Sequence, residues 1–133
     1  LLLMDNSEYD VTVGEHGLSL KKNLWRAVDV AIFKVVNLAM SNHYSKNPPE
    51  VVFEIDLKGD FDTPTKARKD QNRKIKQLFE FGVKKIIWIY TDEKIINVIT
   101  PKNNQSYSWK EDILVLEEYS INLQKLIEKY QKH

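Results

Sequence analysis

The chain has 133 residues, 42% of them hydrophobic and 11% aromatic, with four glycines and four prolines. That composition excludes a disordered or fibrous protein and suits one globular domain. Twenty basic residues stand against 19 acidic ones and no cysteine is present, so a nucleic-acid partner must be argued from local clusters, and disulfide frameworks and thiolate metal sites are excluded.

No apolar run reaches the roughly 18–20 residues of a membrane span, and a cytoplasmic location is expected. The opening LLLM puts three leucines before any methionine. It reads as the continuation of a longer chain, so the single domain over 1–133 is expected to lack its native N-terminal segment.

In chain order, YDVTV (9–13) alternates as a short strand, GEHG (14–17) reads as a turn, and LSL (18–20) as a second strand. LWRAVDVAIFKVV (24–36) is an apolar, β-branched run expected to enter the core as a strand. NLAMSNHYSKNPP (37–49) reads as a loop or a short frayed helix. A strand follows over 50–58, stopped by Gly59.

The segment 60–82 carries helix signals at both ends: Thr63 to cap, Pro64 in the first turn and Gly82 at the C-terminus. Within it Ile75, Leu78 and Phe79 form a stripe for packing on a sheet. KKIIWIYT (84–91) is apolar on both faces, the pattern of a central strand, with Trp88 in the core. TDEK connects it to KIINVIT (94–100), QSYSWKEDILVL (105–116) holds one or two short strands, and Leu123, Leu126, Ile127 and Tyr130 mark a closing helix. The order predicts an α/β (α+β) fold with a mixed central β-sheet flanked by helices.

The strand PPEVVFEIDLKGD (48–60) poses the chemical question. Alternation sends Val51, Phe53, Ile55 and Leu57 one way and Glu50, Val52, Glu54, Asp56 and Lys58 the other. Glu54 and Asp56 lie about 6.6 Å apart between Cα atoms, a repulsion of roughly 2.5 kcal/mol at an effective dielectric near 20. On a solvated face that repulsion is trivial. In a cleft it calls for a cation such as Mg²⁺. Glu50 is expected at the solvated entrance.

Asp29 is the lone acid in its apolar run, where a carboxylate is costly unless paired, hydrogen-bonded or metal-bound. Pairing with Arg26 at a wet strand end is the plain alternative. Were the two strands neighbours, Asp29, Glu54 and Asp56 could converge on one metal, an arrangement suited to phosphodiester hydrolysis. A cation for the transition-state charge could be Lys58, Lys74 or Lys76. Lys74 falls about 90° to one side of a helical stripe that also includes Arg68 and Gln71. The stretch KARKDQNRKIK (66–76) is the densest basic segment, and Arg68, Lys69, Arg73 and Lys76 are its candidates for nucleic-acid phosphate contacts. A solvated helix face is the competing reading. The three histidines share no spacing and read as surface residues.

The order GEHGLSL, WRAVDVAIF, PPEVVFEID and KIKQLFEFGVKKIIWIY resembles the Uma-type family of restriction-endonuclease-like domains in the PD-(D/E)XK nuclease superfamily, over most of the chain. The resemblance implies a restriction-endonuclease-like core. It makes Asp29 the first metal-binding acid, Glu54 the second and Lys74 the helix-borne lysine, with Asp56 where the wider superfamily has its lysine. Val28 stands where that family usually has proline. The implied activity is Mg²⁺-dependent (or Mn²⁺-dependent) hydrolysis of DNA, by an enzyme expected to act as a homodimer. The alternatives are a degenerate member that binds nucleic acid or a protein without cleaving it, and a structural domain with solvated acids.

Overall fold

A computed structural model describes residues 8–38, 46–56 and 64–131. Two long strands open the chain, β1 (Tyr9–Lys21) and β2 (Leu24–Lys34), and run into the single-turn helix α1 (Val35–Leu38). Strand β3 (Val51–Asp56), helix α2 (Pro64–Phe81) and strand β4 (Lys85–Tyr90) follow as a parallel crossover. The chain closes with β5 (Ile95–Thr100), β6 (Asn103–Ser108), the ribbon β7 (Ile113–Leu116) and β8 (Tyr119–Ile121), and helix α3 (Leu123–Gln131).

Strands β1 to β6 form one mixed sheet in sequence order, antiparallel except for β3 with β4. Helix α2 covers one face through Ile75, Leu78 and Phe79, which pack with Ala31, Phe33, Val52, Ile86 and Trp88. The β7–β8 ribbon and Leu123 cover the other, over Ile32, Val51, Phe53, Ile87 and Ile96. A fully buried Leu78 contributes roughly 1.5–3 kcal/mol by area. This is the mixed, helix-flanked α+β sheet read from the sequence.

The helix signals at 64 and 82 mark the ends of α2. Pro64 is its first residue, and Gly82, at φ +121°, ends it in a Schellman turn. There Gly82 N–H donates to Phe79 O (3.1 Å) and Val83 N–H to Leu78 O (3.1 Å). Thr63 and Lys58 lie outside the described residues, as do His43, His133 and most of the 37–49 loop.

Two expectations are corrected, GEHG as a turn and Glu50 as solvated, and the open question of the β3 face is decided. GEHG is not a turn, because β1 runs straight through it. Val13 opposes Val30 and His16 opposes Val28, so Gly14 and Glu15 together face the single residue Asp29. This is a β-bulge, eased by Gly14 at φ +80°. The face of β3 that carries Glu54 is not wet, since a central strand between β2 and β4 is covered on both sides and Val51 to Glu54 are all buried. Glu50 is also buried, at 7% exposure, with Lys84 Nζ 3.0 Å from its Oε2. Strand β8 has no counterpart among the sequence-based expectations. Among the described residues no helix is long and apolar enough to cross a membrane.

A Cβ added at Gly82 would meet Pro48 Cγ at 3.0 Å, on a backbone conformation that L-residues avoid. Gly82→Ala should therefore lower the stability of the folded chain by about 1–3 kcal/mol, read as a lower urea midpoint with an unchanged m-value.

Candidate active site

The site forms where β2 and β3 part. Their ladder covers only Val30–Ile32 against Val51–Phe53. One step further, β2 supplies a side chain in place of its backbone: Ile55 N–H donates to Asp29 Oδ2 at 2.7 Å. The acid inside the apolar run thus replaces a missing ladder bond and is held firmly beside β3.

The bulge helps to aim it. Val28 packs in the cluster under α2, whereas Val30 packs against the cluster on the opposite face. Two residues apart on a regular strand would share a face, so alternation is broken at Asp29. Along β3 no such break occurs, and Glu54 follows Val52 onto the α2 face, opposite Trp88 on β4.

Glu54 is 7% exposed, and burial pushes its carboxyl above the ordinary value of 4.5; nearby Lys74 opposes that rise, Asp29 adds to it, and Arg26 opposes it. Lys74, from the middle of α2, places Nζ 2.8 Å from Glu54 Oε1. The same ammonium donates to Ala27 O at 2.6 Å. Its aligned hydrogen bond goes to the carbonyl, so the contact with Glu54 is an ion pair, and Glu54 Oε1 is buried without an aligned donor.

Asp29, Glu54 and Lys74 are therefore brought together from three elements. Asp56 lies at the end of β3, where its carbonyl accepts from Thr91 N (3.3 Å) and Thr91 Oγ1 (2.9 Å). Among the described residues no three acidic or histidine side chains stand close enough to share a metal ion, so the expected three-acid convergence reduces to the pair Asp29 and Glu54. Of the lysines on α2, Lys74 is turned inward, whereas Lys76 is exposed together with Arg68, Lys69 and Arg73.

Two features escaped sequence reasoning. Arg26 does not simply accompany Asp29; its Nε donates to Gln77 Oε1 at 2.7 Å and its guanidinium lies 3.7 Å from Asp70 Oδ1. Gln71 Nε2 donates to Tyr90 OH at 2.6 Å, tying the first half of α2 to β4. A second charged residue, Arg26, inside the same apolar run as Asp29 was the available signal for the first.

The buried Glu54 carboxylate, with Lys74 Nζ 2.8 Å from its Oε1, lies beside that of Asp29, and such a pair of carboxylates fits a hard divalent cation. Mg²⁺ in particular is held by one or two carboxylates and keeps several waters for the remaining positions.

No family model matches this chain, and no curated protein matches it in sequence. Among solved structures it is similar to the crystal structure of "a putative nuclease belonging to DUF820" from Anabaena variabilis ATCC 29413. The identity is 16% and the TM-score 0.65, over 90% of this chain and 68% of the other. At that identity the likeness shows a shared fold.

Because Glu54 titrates higher in the folded chain than in the unfolded one, the folded state holds its proton more tightly. Its contribution to stability is fully present below 4.5 and is lost as pH rises through the raised folded value. Glu54→Gln cannot titrate and lacks this component. The stability of wild type minus that of Glu54→Gln, from urea midpoints between about pH 4 and 8, should therefore decline as pH rises; a flat difference would contradict the assignment.

Proposed function

We propose that this chain is a metal-dependent nuclease of restriction-endonuclease-like fold that hydrolyses DNA phosphodiester bonds, with Asp29, Glu54 and Lys74 as its working residues. The observation that carries the reading is the meeting of Lys74 with a buried Glu54 at 2.8 Å, beside an Asp29 held by the backbone of β3. A solvated strand face would have no need of such an arrangement. The description of the structurally similar protein as a nuclease supports the reaction class, and the resemblance to the Uma-type family belongs to the same proposal.

Asp29 and Glu54 would hold Mg²⁺ or Mn²⁺, with Asp56 as a further acid at the lip of the site. When bound, such an ion polarises a phosphoryl oxygen and lowers the pKa of coordinated water. The chain's own residues do the rest. Asp29 is kept rigid by the Ile55 N–H, and rigidity of that kind is what a ligand set needs. Lys74 has three ammonium protons; one goes to Ala27 O and one faces Glu54, leaving a third for the phosphate oxygen on which charge develops or for the attacking water.

Arg68, Lys69, Arg73 and Lys76 are exposed on the helix that carries Lys74, where they would contact backbone phosphates beside the scissile bond without reading sequence. A homodimer acting on both strands, in the cytoplasm, completes the proposal.

Plasmid DNA incubated with the full chain and Mg²⁺ or Mn²⁺ should be cleaved. Asp29→Asn, Glu54→Gln and Lys74→Met should each lower the rate about 10²-fold or more, whereas Arg73→Ala should weaken binding and flatten its salt dependence. Salt-dependent binding without any cleavage by wild type would favour the binding-only alternative; full activity in either acid variant would sink the site.

A further inference from the structure

We infer that Arg26 is a positioning residue: by gripping α2 on either side of Lys74 it sets where the ammonium meets Ala27 and Glu54. Asp70, Lys74 and Gln77 are spaced so that they share one stripe of the helix. Arg26 reaches both ends of that stripe, with Nε 2.7 Å from Gln77 Oε1 and its guanidinium 3.7 Å from Asp70 Oδ1. Those two partners are about 10.5 Å apart along the helix axis, and Lys74 lies between them.

The next residue of β2, Ala27, offers the carbonyl that Lys74 takes at 2.6 Å. Two consecutive strand residues thus hold the helix and receive its lysine. Lysine is a point charge on a flexible stem, whereas the arginine fork is planar and can engage two partners at once. The fork is therefore the element that fixes the register between helix and strand.

Arg26 touches no reacting atom in this scheme; beyond the pull of its charge on the Glu54 carboxyl it acts through Lys74, and its consequence for cleavage rests on the nuclease reading above. A merely adhesive arginine would affect stability and leave the lysine where it is. The two roles separate in one measurement on the metal-free full chain: the ¹⁵N signal of the Lys74 ammonium, identified by its loss in Lys74→Met. In wild type its hydrogen exchange should be slowed by the bonds to Ala27 and Glu54.

Arg26→Gln should raise that exchange rate about tenfold, the worth of one charge-assisted hydrogen bond. Arg26→Lys restores charge without the fork and should behave like Arg26→Gln. Should Arg26→Gln fail to fold, Gln77→Ala cuts one arm of the grip and should raise exchange by a smaller factor. In cleavage, Arg26→Gln should lower kcat about tenfold while KM for DNA stays within about twofold. An unchanged ammonium signal in folded Arg26→Gln, or in Gln77→Ala if the first variant does not fold, would overturn the inference. Full rescue by Arg26→Lys would overturn it too, since charge alone would then suffice. If wild type cleaves no DNA the nuclease reading falls, and the ammonium signal still decides the role of Arg26.

Discussion

A carboxylate on a central strand under a helix can stay charged only if that helix brings it a cation, and this constraint organises the molecule. Glu54 is buried because β3 lies in the middle of the sheet and α2 covers it. Lys74 answers from α2, at 2.8 Å. Removing one partner of such a pair costs about 3–5 kcal/mol, far more than the intact pair contributes. The sheet order, the crossover and the helix register must all be right for the two charges to meet. A fold that spends stability in this way is expected to do so at a functional site.

The same constraint explains why β2 and β3 separate where they do. A continued ladder would pair the Ile55 N–H with the backbone of β2. Instead Asp29 satisfies the Ile55 N–H with its side chain, so the strands part without leaving that donor unpaired. Asp29 thus caps the end of the ladder through Oδ2, and its second oxygen is the one that would serve the proposed metal. The 3.5 Å approach of Lys84 Nζ to Glu50 Oε1, with 3.0 Å to Oε2, makes a second acid–lysine contact at the other end of β3. That one lies away from the strand opening, where Lys84 is largely exposed, and serves the entry of the strand.

Much of this was legible in the sequence because local chemistry and tertiary role agreed. Pro64 and Gly82 marked the ends of α2, KKIIWIYT showed itself as a central strand, and an acid alone in an apolar run identified Asp29. Lys74 followed from its place at the border of the apolar stripe, together with a family resemblance. What stayed hidden depended on partners distant in the chain. Gly14 reads as a turn until a neighbouring strand exists for it to bulge against. Glu50 reads as exposed until Lys84 is beside it, and Arg26 reads as the companion of Asp29 until α2 presents Gln77. Strand β8 is too short to announce itself without β7 to pair with.

The bulge carries a consequence of its own. From the pair Val13–Val30 to the pair His16–Val28, β1 takes one more step than β2, and at that point β2 changes which face it presents. Losing a single residue at position 14 or 15 would remove this bulge and leave the irregularity between Ser19 and Lys21 as the remaining break in the hairpin ladder. No side chain of the site would have been altered, yet the strand bearing Asp29 and Arg26 would have to turn over on one side of the join. Chain length in β1, a strand at the sheet's edge, is therefore as much a determinant of the site as the identity of any acid in it. Relatives that differ by one residue in this hairpin should be compared by register before they are compared by residue.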